Sequence, residues 1–216
     1  MQPGDHGTAH ETLNERMLHR MLFFTDAVFA IVLTLMVLDM KPPPFNNPLG
    51  SATHMQGMGS HLFALALSFA VIGVFWMAHL NTLRRLLRFD WPSAVANLAF
   101  LFPVCLIPFA TGWIGRTLDE PFVWGFYCSL LMLISAANVV LVLVVYRRHG
   151  VLVGGVAERE LTYRVLRAAS PGIAFGLGLL TMMAGALRPA QFCWALIPLI
   201  TVIVNRTLKP AAEAHA

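Results

Sequence analysis

Six stretches of the chain are apolar over lengths that match a bilayer: about 21–40, 60–80, 94–114, 121–146, 168–187 and 190–205. A membrane helix needs roughly 20 consecutive apolar residues, so five of these qualify outright and the last is short. A segment in lipid must satisfy every backbone N–H and C=O internally, which makes each stretch a helix. With 57% hydrophobic and 12% charged residues over 216 positions, the apolar surface exceeds what one soluble core could hide. The predicted fold is therefore all-α, a polytopic membrane protein of six transmembrane helices. The first stretch follows a polar segment carrying Asp5, Glu11 and Glu15, has no small-residue cleavage site and is too long for a signal-peptide core, so it is expected to be retained. The expected organisation is a cytoplasmic N-terminus at 1–20, a six-helix membrane domain at 21–205 and a cytoplasmic tail at 206–216, with no soluble domain appended.

The 15 Lys and Arg residues set the orientation. Twelve fall on one side: Arg16 and Arg20, then Arg84, Arg85 and Arg88, then Arg147, Arg148, Arg159, Arg164 and Arg167, and finally Arg206 and Lys209. Only Lys41, Arg116 and Arg188 fall on the other. The positive-inside rule puts the rich side, with both termini, in the cytoplasm. Trp113 and Trp124 then border the outer loop between helices 3 and 4, while Trp76 and Trp91 flank the inner Arg84–Arg88 loop, as interfacial aromatics. The arginines are spread over four segments without a nucleic-acid-binding motif, so the basic excess is topological and no nucleic-acid partner is expected.

Pro42-Pro43-Pro44 ends helix 1 and opens an outer loop running through a Gly- and Met-rich segment at 49–60. The inner loop 147–167 carries Glu158 and Glu160 among its arginines and is expected to form a short amphipathic helix. Pro103, Pro108 and Pro198 lie inside apolar segments, where kinks are tolerated. Cys105, Cys128 and Cys193 fall one per helix, matching neither a metal-ligand spacing nor a disulfide pattern, and are expected to be core thiols. Neither Gly-x-Ser-x-Gly nor His-Glu-x-x-His occurs, and no nucleophile–base pair is recognisable, so no enzyme and no cofactor are predicted.

One carboxylate stands inside the first spanning stretch, Asp26. An ionisable group there is expensive unless partnered, and by default marks a functional or assembly site. At about 100° per residue, with Ile31 taken as zero, Leu35 lies near 40° and Leu38 near −20°, a narrow stripe along the outer half of the helix. Asp26 lies near −140°. The stripe and the acid therefore occupy different faces, and Asp26 is expected to point into its own bundle while the stripe faces something else. Ala27, Ala30 and Thr34 run beside the stripe as a strip of small residues that permits close approach of another helix.

The string Arg20-xxx-Phe24-Thr25-Asp26, continuing Ala-Val-Phe-Ala-Ile-Val-Leu-Thr-Leu-Met-Val-Leu-Asp, resembles the Arg-xxx-Phe-Ser-Asp signature of the transmembrane protein 175 family of potassium channels. Phe75-Trp76-Met-Ala-His79, the Arg-rich loop after it, and Asn97 through Pro108 and Phe109 are similar to the same family, so the likeness covers about the first 115 residues. Thr25 replaces the signature Ser and keeps the hydroxyl. The resemblance implies a homotetramer in a bacterial inner membrane, with helix 1 of each subunit lining a central pore for potassium and other monovalent cations. It places Ile31 at the narrowest ring, with Leu35 and Leu38 as further hydrophobic rings and Thr34 close by. No Thr-Val-Gly-Tyr-Gly filter is present, so selectivity and gating would fall to these apolar rings, with potassium transient in the pore and no fixed ligand set.

Arg20, Phe24, Thr25, Asp26, His79 and Asn97 then become the structural motif, and Arg20, Thr25, Asp26, His79 and Asn97 are expected to form a hydrogen-bonded cluster that holds helix 1 at its angle. Asp39, at the outer mouth beside Lys41, would attract cations or stand as an exposed acid. Two other classes remain open: a proton-coupled transporter using Asp26 and His79 as a relay, which would saturate and follow a pH gradient, and a structural membrane scaffold.

Overall fold

The computed structural model describes residues 5–38, 51–149 and 158–208. They form helices: α1 Asp5–Leu38, α2 Ser51–Leu83, α3 Trp91–Val104, α4 Ile107–Arg116, α5 Pro121–His149, α6 Glu158–Met183, α7 Leu187–Ala190 and α8 Leu196–Leu208, with a 3-10 turn at Cys193–Ala195 before α8. Five helical segments are long and apolar enough to cross a membrane: Leu13–Leu38, Met58–Leu83, Trp91–Arg116, Pro121–Arg148 and Glu158–Met183. The sixth apolar segment, Cys193–Leu208, is shorter. The chain is thus all-helical over its described residues and multi-pass, with α3 and α4 as the two halves of one crossing.

The break in that crossing has a sequence cause. Pro103 and Pro108 lack the N–H that would bond the carbonyls of Ala99 and Val104 one turn earlier, and each ring crowds that carbonyl. The helix tightens to let Leu106 N bond Pro103 O at 3.1 Å, then restarts with Ala110 N on Leu106 O. Cys105 sits exposed at this break, whereas Cys128 and Cys193 are buried free thiols, so the expectation of a core thiol fails at Cys105. Asp90 caps the other end of α3 by accepting from Ser93 N at 3.2 Å, and Arg148 Nε at the end of α5 donates to the same carboxylate at 2.8 Å.

Three expectations are corrected. The Gly- and Met-rich segment is helical from Ser51 onward, so α2 runs 33 residues, about 50 Å, and projects beyond a bilayer core. The amphipathic segment expected at 147–167 is not separate where it is described: from Glu158 it is the first turns of α6 itself, with Glu160 bridging Arg85 at 2.9 Å and Arg164 at 3.8 Å. Trp124 is not interfacial. It is fully buried, stacked on Tyr127 at 5.8 Å, because the first turn of α5 is covered by α4 and α6. Asp39, Lys41 and the Pro42–Pro44 turn lie outside the described residues.

α5 and α6 make the most extensive pairing, with α3 and α4 on α5, α2 on α4, and α8 on α6. Small residues allow it. A Cβ at Gly172 would fall 2.7 Å from Ser135 Oγ, and one at Gly178 would fall 2.6 Å from Cys193 Sγ. In lipid, such close packing and buried hydrogen bonds, rather than removal of apolar surface from water, hold helices together. α1 is peripheral, touching α2, α3 and α4 along one side.

Candidate functional site

The two sides of α1 have opposite character. Leu18, Thr25, Phe29, Val32 and Met36 are buried, and at about 100° per residue they fall within a sector of roughly 60°. This face is held at two depths. At the inner one, Thr25 Oγ1 donates to its own helix at Met21 O (2.9 Å), Asn97 Nδ2 donates to Thr25 Oγ1 (2.8 Å), and His79 Nε2 meets Asn97 Oδ1 at 2.7 Å. The order of donors fixes itself. Because the Thr25 proton is committed to Met21, Thr25 must accept from the Asn97 amide, which turns Asn97 Oδ1 to His79 and requires the histidine proton on Nε2. The His79 ring also stacks on Phe100, centroids 4.8 Å apart, with Phe29 of α1 beside it at 5.8 Å.

The second depth lies eleven residues along α1, about 16 Å. Thr111 Oγ1 of α4 lies 3.6 Å from Met36 Sδ, 2.8 Å from Ser68 Oγ of α2 and 2.8 Å from its own Ile107 O, and Ser68 Oγ in turn pairs with Tyr127 Oη of α5 at 2.9 Å. Sequence reasoning missed this set. Hydroxyls scattered over three apolar stretches carry no spacing that links them.

The opposite side of α1 is bare. Ile31 is 57% exposed and Leu38 76%, with Leu35, Ala27, Ala30 and Thr34 also exposed. The Thr34 hydroxyl is turned back on its own helix, reaching Ala30 O at 3.1 Å and Ile31 O at 2.9 Å, so it adds little polarity to this face. The stripe and the small-residue strip thus lie together on a surface that no other described helix covers.

The expected five-residue cluster is only partly assembled. Thr25, Asn97 and His79 come together; Arg20 and Asp26 do not join them. Asp26 is exposed rather than pointing into its own bundle, because it stands about 100° round the helix from Thr25, and only one of the two can face α3. Its carboxylate accepts instead from Trp76 Nε1 of α2 at 3.2 Å. Trp76, read from sequence as an interfacial aromatic, is the partner that reading overlooked; its place three residues before His79 puts both on neighbouring parts of one α2 face. Arg20 and Phe24 lie within about 20° of Ile31 and so belong to the open face, not to the cluster. No hydrogen bond joins Asp26 to His79 among the described residues. Nor do the described residues contain three His, Cys, Asp or Glu side chains grouped to hold a metal ion.

Residues 20–108 match the model of the family described as endosomal/lysosomal potassium channel TMEM175. That span runs from Arg20 to the second residue of α4 and contains every residue of the stripe and of the Thr25–Asn97–His79 chain. A protein from Streptomyces collinus named as a potassium channel is 33% identical over 97 residues, 45% of this chain and 47% of that one. A rat protein named endosomal/lysosomal proton channel TMEM175 is 24% identical over 125 residues, 57% of this chain and 25% of that one. The chain thus spans about half the length of its bacterial relative and a quarter of the mammalian one. In fold it is similar to the crystal structure of a lysosomal potassium-selective channel TMEM175 homologue from Chamaesiphon minutus, with a TM-score of 0.72 and 19% identity over 88% of this chain and 99% of the other.

Proposed function

We propose, from the match of residues 20–108 to the model of the TMEM175 family, that this chain is the subunit of a potassium-conducting channel. Four copies would surround a pore lined by the open face of α1, in a bacterial inner membrane with both termini cytoplasmic. The observation that carries this is the asymmetry of α1: polar contacts fasten it on the Thr25 side at two depths, and its Ile31–Leu35–Leu38 side is left uncovered inside the family-matched segment.

Lipid could cover an apolar face, but the same face carries Ala27, Ala30 and Thr34, small side chains that leave room for the helix of a second copy to approach closely. In the assembly Ile31 forms the narrowest ring, with Leu35 and Leu38 as further apolar rings and Thr34 beside them. A tight apolar ring strips part of the hydration shell, which costs the weakly hydrated potassium ion less than sodium, and it closes by dewetting. No cofactor is required. Thr25, Asn97 and His79 act as supports: they fix the rotation of α1 about its axis, so that the stripe and not the acid faces the pore.

Proton movement is a second reading, favoured by the name given to the rat relative. A relay through Asp26 and His79 would need an added link, since these two side chains have separate partners. Recording from the purified protein in planar bilayers with potassium and pH gradients imposed separately tests both. Discrete currents that reverse near the potassium equilibrium potential support the channel; a saturating flux that follows pH alone supports the transporter; silence under every gradient leaves a scaffold.

A further inference from the structure

α6 and α8, beyond the family-matched segment, meet the lower part of α2, which lies within it, in a groove of about 310 Å³. Its walls are apolar, formed by Val74 and Met77 of α2 and Ile197, Pro198 and Val202 of α8, and Arg167 of α6 lines it beside them. Arg167 lies nine residues into α6, about 14 Å from its start, within a spanning segment. Among the described residues its one polar partner is the Tyr163 hydroxyl, at 3.1 Å, and that hydroxyl is itself spent on Asn205 Oδ1 at 2.9 Å. Guanidinium carries five N–H donors, so most of its capacity and its whole charge are unanswered by protein. The acid one might expect nearby, Glu160, is engaged with Arg85 and Arg164.

Arg167 also borders a narrow cleft with Asn81, Thr82 and Arg164 that continues toward the end of the bundle where α2 and α8 finish. That cleft has room for about one water, so a bulky group answering Arg167 must come from the wide groove. Arg206 lies one turn beyond Val202 on the same side of α8, toward the end of that helix. The pattern is amphipathic along its length: apolar walls toward the membrane centre, cations toward its surface.

We propose that this groove binds one anionic diacyl phospholipid, with the phosphate on Arg167 and an acyl chain along Val74, Met77 and Val202. Charge complementarity selects this occupant. A zwitterionic lipid brings its own ammonium beside the phosphate and so leaves the net positive charge of the site unanswered, a free anion leaves the apolar walls empty, and a second copy would have to bring an acid to this depth. Basic pockets between spanning helices at a cytoplasmic surface are suited to such head groups.

The test uses the full-length protein, stripped of lipid in neutral detergent and examined by native mass spectrometry with phosphatidylglycerol, phosphatidylcholine or inorganic phosphate. Phosphatidylglycerol should be retained about tenfold better than phosphatidylcholine, the size of effect one charge-assisted contact supplies, and excess inorganic phosphate should not displace it. Arg167→Gln should bring phosphatidylglycerol down to the phosphatidylcholine level. Val202→Trp, which fills the groove while leaving Arg167 in place, should reduce retention of both lipids. Equal retention of the two lipids by the unmodified protein, displacement by inorganic phosphate, or indifference to either substitution overturns the proposal. Disulfide-linked dimers of a Val202→Cys variant in membranes would put a second copy in the groove and overturn it as well. Should Arg167→Gln fail to fold, the lipid and phosphate comparison on the unmodified protein decides.

Discussion

Asn97 Nδ2 donates to Thr25 Oγ1 at 2.8 Å, and this bond ties the buried side of the first helix to α3. Thr25→Ser preserves the acceptor and should leave thermal stability in detergent nearly unchanged. Thr25→Val keeps the shape but strands a buried amide N–H, and should cost roughly 1–2 kcal/mol, read as a lowered unfolding temperature. Asn97→Leu removes both bonds of the amide and strands the buried His79 Nε2–H, while Thr25 keeps its bond to Met21 O, and it should cost at least as much as Thr25→Val.

Asp26 and Trp76 give a different expectation. Asp26→Asn keeps an oxygen for the Trp76 Nε1–H, so it should shift stability by less than about 1 kcal/mol, whereas Asp26→Leu should cost about that or more. Neither should move the potassium-to-sodium reversal potential, because Asp26 stands about 140° from Ile31 on α1. A reversal potential that moved with Asp26→Asn would put the acid in the pore.

The α5–α6 contact is set by absent side chains. Gly172→Ala would bring a Cβ within 2.7 Å of Ser135 Oγ while Gly172 N still bonds that oxygen at 3.0 Å. The helices must separate. The expected cost is about 1–3 kcal/mol in thermal unfolding, partly recovered in the double variant with Ser135→Gly, which removes the opposing side chain.

How much of this was legible in the sequence varies with the kind of information each feature carries. Spans follow from composition over twenty residues, so the five long helices were readable, and the Ile31–Leu35–Leu38 face was readable from spacing because α1 is one uninterrupted helix. What spacing does not carry is which of two adjacent polar residues turns inward. Thr25 and Asp26 differ by one step of the helix, and only the positions of Asn97 and Trp76 on other helices decide between them. Trp124 shows the same limit: a tryptophan beside a loop signals an interface only where no neighbouring helix covers it, and here α4 and α6 do. The Ser68–Thr111–Tyr127 set was invisible because its members belong to three stretches with no common motif.

The central claim is that Ile31 forms the narrowest ring of a pore lined by α1. Replacing Ile31 with Asn in every subunit supplies polar atoms where the unmodified ring offers none, and so lowers the dehydration barrier for each cation. Leu33→Asn is the control, since Leu33 is half-buried against the core and should disturb packing and yield instead. Reversal potentials and unitary currents in mixed potassium and sodium solutions give the decision. The account predicts a larger conductance and a weaker preference for potassium in Ile31→Asn; a channel of unchanged conductance and unchanged selectivity would contradict it.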